Sequence, residues 1–192
     1  MFGFITDSMI ARSFKIGLLA MVASTSFFSC TSGTGRVGDR PGDGLDDGEE
    51  ISGPTFTTTL VLRDSAGTEK TSFQRAELIT FELTVRNRTA QPANVSLSTT
   101  QASDFYVFPN GGNTALWFCA TGMAFPTVVT TLTFAANETK VMQCTWNQEL
   151  ANGTFLPNGS YEARGIVTAV GVSADPSTQH ELASTLRAFT VN

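Results

Sequence analysis

Three cysteines, one histidine and a scatter of carboxylates are the side chains of this 192-residue chain with reactive chemistry to offer. Cys119 and Cys144 each lie in a run of β-like alternation, one in line with Trp117, the other with Met142 and Trp146. In an oxidising compartment two strand cysteines imply a disulfide. Closing a loop of about 25 residues would stabilise the fold by roughly 3–4 kcal/mol in the loop-entropy picture. The other reading is two buried free thiols. His180, the only histidine, sits in the polar stretch ADPSTQHEL. With no second histidine, a metal cluster or a Ser-His-Asp triad has just this one candidate, so it reads as a solvated loop residue. Glu77, Glu82, Asp104 and Glu162 read as strand-face or turn residues rather than a paired acid and base. Gly111-Gly112 is a turn, not a phosphate-cradling loop. These residues therefore predict no catalytic residue, no metal site, no cofactor and no small-molecule substrate.

The surface feature with most to say is the loop ATGMAFPT, residues 120 to 127. Met123 and Phe125 are apolar in a loop bounded by Gly and Pro. Exposed, they could fill a pocket on a partner protein. The alternative for Phe125 is a place in the core.

Cys30 belongs to a different pattern. Residues 16 to 28, IGLLAMVASTSFF, are an uncharged apolar run behind Arg12 and Lys15. That is a secretory leader pattern, too short to span a bilayer, which takes about 20 apolar residues. The run ends in Phe27-Phe28-Ser29-Cys30, which resembles a bacterial lipobox. The bulky Phe28 departs from it; Ser29 fits it. On this reading residues 1–29 are a lipoprotein signal peptide, started at Met1 or Met9, and Cys30 is lipidated; the other reading is an ordinary cleavable leader, with Cys30 an incidental thiol. Thr31 rather than Asp after the cysteine resembles an outer-membrane address. The only membrane contact expected is the lipid anchor, stable with more than one acyl chain.

Residues 31 to 53, TSGTGRVGDRPGDGLDDGEEISG, are dominated by Gly and Asp and carry a net charge of −4. So little apolar surface cannot offset ordering entropy, and a disordered acidic linker over residues 30–53 is expected. As a Gly-rich coil it would span on the order of 25 Å. Its Asp-Gly spacing lacks the order of a calcium loop. The remaining residues carry eight basic and ten acidic side chains. A near-balanced, slightly acidic domain is a poor phosphate binder, which argues against nucleic acid. Sequons begin at Asn87, Asn94, Asn137, Asn152 and Asn158, a by-product of an Asn- and Thr-rich surface if the lipobox is real.

The elements that position these residues are strands. Only 15% of the chain is charged, and Thr, Val, Phe and Gly abound, the composition of a sheet protein. The cleanest alternation is LITFELTVR, residues 78 to 86, with Ile79, Phe81, Leu83 and Val85 on one face. Phe56, Thr58, Leu60 and Leu62 form a set before it. Further runs are Val95 and Leu97, Phe105 and Val107, 116 to 119, 128 to 134, 139 to 146, 160 to 170 and 182 to 191. Breakers at Asp64–Gly67, Pro109–Gly112, Ala136-Asn137 and Pro157–Gly159 separate them. About eight or nine short strands at this spacing predict an immunoglobulin-like antiparallel β-sandwich over residues 54–192. A helical turn fits only within 147 to 153, ended by Asn152-Gly153.

From about residue 78 to 167 the sequence resembles the BsuPI-type domain, the intracellular proteinase inhibitor family. The resemblance runs through Phe81, Leu83 and Val85 with Asn87 and Thr89, then Val95, Leu97, Gln101 and Asp104-Phe105-x-Val107. It continues through Leu116-Trp117, Phe125, Leu132, Glu138 and Trp146, and closes on Gly153-x-x-Leu156-Pro157-x-Gly159-x-Tyr161 with Gly165. Phe118 and Cys119 depart from the family pattern beside the tryptophan. The resemblance implies an Ig-like sandwich and a protein-binding module that inhibits proteinases, with a serine protease as partner. The leader moves the expected location to the bacterial cell envelope. The alternative is a structural or adhesive envelope lipoprotein without inhibitory activity.

Overall fold

The computed structural model describes residues 54–192, which lie in one compact unit. The expected signal peptide (1–29), Cys30 and the expected acidic linker (30–53) fall outside the described residues. The alternating sequence sets resolve into ten strands: β1 (Phe56–Arg63), β2 (Ser72–Phe73), β3 (Ile79–Asn87), β4 (Ala93–Leu97), β5 (Ser103–Pro109), β6 (Trp117–Phe118), β7 (Thr130–Phe134), β8 (Thr139–Trp146), β9 (Gly159–Val167) and β10 (Arg187–Val191). No helix forms among the described residues.

Three sheets result, in the orders β1-β3-β8, β2-β10-β9-β5-β6 and β4-β7. Pairing is antiparallel throughout except for β2, which runs parallel to β10 over Thr190↔Ser72 and Val191↔Phe73. The alternation of β3 is realised in full: Ile79, Phe81, Leu83 and Val85 are buried to the last atom. They meet Phe105 and Val107 of β5, and Ala163 and Val167 of β9, in one core. Period-2 burial on both inner faces is what an all-β sandwich of the Ig-like class requires. Gly165 of β9 lies where the two large sheets approach too closely for a side chain. A Cβ there would stand 3.0 Å from Leu83 Cδ1 and 3.3 Å from the Phe105 ring.

Two buried amides tie the loop ends. Asn87 Nδ2 donates to Gln91 O and Ala135 O, and its Oδ1 accepts from Thr89 N and Oγ1. Gln148 Nε2 donates to Gln74 O and Glu77 O. Each satisfies backbone groups that a turn leaves without a ladder partner. Tyr161 is buried and donates its hydroxyl to Pro157 O at 2.7 Å, fastening the strand to its own turn.

Four sequence expectations are corrected. The last strand begins at Arg187, not 182; Leu182, Ala183 and Ser184 are buried but held by single bonds, Val167 N to Leu182 O and Ser184 N to Gly165 O. Val128 lies outside β7 because its N–H turns back to Pro126 O. The run at 116 to 119 shrinks to a two-residue β6, since β5 continues past it. Residues 147 to 155 form a bridged turn, Glu149↔Phe155, in place of a helical one, with Gly153 at φ 77°.

Candidate functional site

The sequence-chosen residues gather where β6 and β8 come together. Trp117 of β6 and Trp146 of β8 stack at 4.5 Å, and Phe81 lies 5.7 Å from Trp117 and 6.4 Å from Trp146. Beside this aromatic stack Cys119 and Cys144 are disulfide-bonded, with Cα atoms 6.5 Å apart. The bond ties the edge of the five-stranded sheet to β8 of the three-stranded one. Such a joint forms because each cysteine stands two residues from a tryptophan and keeps its alternation, Cys144 within β8 and Cys119 one residue past the end of β6.

The loop 119–129 leaves this joint. Its root is fixed twice more: Cys119 N donates to Phe105 O at 2.9 Å, and Ala120 N to Asp104 Oδ1 at 3.1 Å. Asp104 is buried, and the same oxygen accepts Phe105 N. Burial, and then the Asp104 carboxylate, push the Tyr106 hydroxyl well above the usual phenol range. Turns follow at Thr121 N to Phe118 O and Met123 N to Ala120 O. Gly122 adopts φ 77°, a left-handed position where a side chain would be strained. The far end is held by Thr100 N to Pro126 O and by Thr130 Oγ1 to Thr99 O.

Between these anchors the loop presents apolar side chains to solvent. Met123 is 60% exposed, and Val128 and Val129 are 56% and 77% exposed. Phe125 is half-buried, between the two alternatives read from sequence. Leu116 and Phe118, flanking Trp117, are also exposed. Val128, Val129, Leu116 and Phe118 extend the apolar surface beyond the two residues singled out. Their signal in the sequence was apolar identity, close after Pro126 for Val128 and Val129 and beside Trp117 for Leu116 and Phe118, masked by their equally good fit to strands.

The groups considered for chemistry take other roles. Glu77 accepts from Lys70 Nζ and Gln74 N, and the Lys70 ammonium holds its carboxyl below the usual range. Glu82 bonds Arg63 and Gln143, which lower its pKa in the same sense. Glu162 Oε2 accepts Gly111 N. Three of these four carboxylates stand on different strands, β3, β5 and β9, and Glu77 on the turn before β3. Each is engaged by groups of its own neighbourhood, and no two share a partner. Among the described residues no group of three or more His, Cys, Asp or Glu could hold a metal ion.

His180 is exposed, its Nδ1 accepting Leu182 N. It lines a cleft of about 520 Å³ with Pro54, Arg164, Glu181 and Ser184. Arg164 is buried there, donating to Asp175 O and Thr178 O, and burial lowers its pKa from the ordinary guanidinium value. Arg164 escaped the sequence reading because a lone arginine in a strand looks like any surface residue.

The profile described as BsuPI, intracellular proteinase inhibitor, matches residues 66–172. No curated protein matches the chain. Among solved structures, the CARDB domain of the PF1109 protein from Pyrococcus furiosus, in complex with di-metal ions, is 15% identical, with 72% of this chain and 93% of that chain covered and a TM-score of 0.38. A beta-glucosidase from Listeria innocua in complex with glucose is 11% identical, with 70% of this chain and 16% of that chain covered and a TM-score of 0.36.

Proposed function

We propose, from the premise that this chain belongs to the BsuPI family of intracellular proteinase inhibitors, that it is an envelope-anchored protein-binding module whose loop 119–129 inhibits a serine protease. The family supports proteinase inhibition and a protease partner at a coarse level. The observation that carries the finer reading is Met123, 60% exposed at the tip of a loop whose root is fixed by a disulfide and a buried carboxylate. A loop held in one shape gives up less entropy on binding than a free one, and an exposed apolar side chain on it can serve as an anchor. The envelope location draws on the leader pattern and Cys30, both outside the described residues.

The experiment is a titration of the purified protein against a panel of serine proteases that includes subtilisin types. Stoichiometric, saturable loss of protease activity without cleavage of the loop supports the reading. It is then sharpened by Met123→Ala, expected to weaken inhibition at least about tenfold. No inhibition across the panel, or cleavage within 119–129 at the rate of an ordinary substrate, would refute it.

A further inference from the structure

The three-stranded sheet has two edges, and they are treated differently. The outer edge of β1 is covered: Phe56 N donates to Glu181 Oε2, Thr58 Oγ1 to Ala183 O, and Arg63 bridges to Glu69. The outer edge of β8 has no backbone partner among the described residues. β8 is eight residues long, and the other uncovered edge of comparable kind, on β7, has five.

The direction of the free groups on β8 follows from register. Asn87 N donates to Glu138 O at 2.9 Å, and Arg86 stands opposite Thr139. Bonded pairs in an antiparallel ladder alternate. Lys140, Met142, Cys144 and Trp146 therefore exchange bonds with β3. Thr139, Val141, Gln143 and Thr145 turn their N–H and C=O groups outward. Their side chains are exposed too, and Val141 is 55% exposed.

Natural edges of this length are usually blunted by charge, proline or a bulge. Here the four outward residues are Thr, Val, Gln and Thr. The one charge on the strand, Lys140, is turned away, bonded to Glu138 at 2.9 Å and lying over the Phe134 ring at 5.5 Å. The nearest carboxylate on the same face, Glu82, is already neutralised by Arg63 and bonded by Gln143.

We propose that β8 pairs with β8 of a second copy of this chain, antiparallel about a twofold axis through Met142, joining two three-stranded sheets into one of six. The outward row of β8 is uncharged and does not repel a second copy of itself. The twofold sets Thr139 against Thr145 of the other copy, and Val141 against Gln143, each twice, so no two like charges meet. Thr–Thr pairs are favourable across strands, and a twofold is the commonest way for one chain to close an assembly.

Sedimentation velocity on the purified protein, from about 1 µM to about 1 mM, spans the range in which a weak interface assembles. The expected result is a doubling of mass with concentration for the native sequence and a constant monomer mass for Val141→Pro. Proline is suited to this position because the Val141 N–H faces outward and gives up no bond to β3. Val141→Lys, which keeps every backbone group, serves if the proline variant fails to fold. Amide exchange supplies the direct readout: Val141 and Gln143 should gain protection as concentration rises. A native protein that stays monomeric throughout overturns the proposal, as does a dimer that survives Val141→Lys, or unchanged exchange at Val141 and Gln143 in a dimer.

Discussion

Two long connections cross the surface, and they are held in opposite ways. The loop 119–129 is fastened at its ends, by the disulfide, Asp104 and the bonds to Thr99 and Thr100, and its middle turns Met123 to solvent. The connection 168–186 is fastened along its length. Arg164 reaches Asp175 O and Thr178 O, Asp175 closes a turn on Ser177, and Ser184 Oγ accepts Gly165 N. Its exposed side chains are mostly polar, Ser173, Asp175, Ser177, Thr178, Gln179, His180 and Thr185, with Val170 near its start the apolar exception at 68% exposed. A polar loop in water gains little from presenting its surface and must be ordered from within. An apolar loop fastened at its ends leaves its middle open to a partner. On the proposed function, recognition belongs to the first and scaffold to the second.

The disulfide gives the sharpest way to break that contrast. Replacing both Cys119 and Cys144 by Ser is expected to lower stability by about 3–4 kcal/mol, from the closed loop of 25 residues. Chemical denaturation checks this. Protease inhibition should weaken in the same variant even where it is fully folded. A loss under about 1 kcal/mol with inhibition intact would show that the loop is ordered by something other than its root.

Arg164→Met tests the other connection. It removes two hydrogen bonds from a charged donor, at about 1.5–3 kcal/mol each, and relieves part of the penalty of a buried charge. The net expected loss is about 2–4 kcal/mol. Limited proteolysis should find new cuts within 173–180 and none within 120–127. If both loops become equally susceptible, Arg164 supports the whole fold and the two regions are not independent. Met123→Ala is the converse probe. An exposed loop position should leave stability within about 0.5 kcal/mol, so any loss of inhibition is a loss of contact.

What the sequence made legible follows from how local each signal is. The β3 alternation is carried by nine consecutive residues, and the structure buries the alternating set completely. The breakers at Asp64–Gly67 and Pro109–Gly112 mark real turns because Gly67 and Gly111 take positive φ, which only a few residue types tolerate. The failures are long-range. Leu182 to Ser184 look like strand and are buried, yet their pairing with β9 stops at a single bridge, Ile166↔Ala183. Val128 fits a strand and is exposed, since a turn at Pro126 decides its direction. Arg164 is legible only once 175 and 178 have been brought beside it. The two-residue β2, a parallel partner for β10, is too short for any period to show. Of the candidate site, Met123 was found by type and setting. The surface around it came from residues whose burial, not identity, was misjudged.

Acid offers the mildest discrimination between the two connections. The Asp175 carboxyl is held below its usual range by the Ser177 N–H, then by the Ser177 hydroxyl, with the Arg164 charge adding a smaller pull. A carboxyl whose folded pKa lies below its unfolded one contributes order above the unfolded value. That order is lost as pH falls through the folded value. The turn at 175–178 should therefore loosen on acidification, seen as falling protection of the Ser177 amide between about pH 5 and about pH 2. The Met123 and Val128 amides donate to Ala120 O and Pro126 O, acceptors that do not titrate. Their protection should hold over the same range, until the fold as a whole gives way. Loss of protection at Met123 in step with Ser177 would mean that the two loops open as one unit, and that the apolar loop owes its order to the polar one.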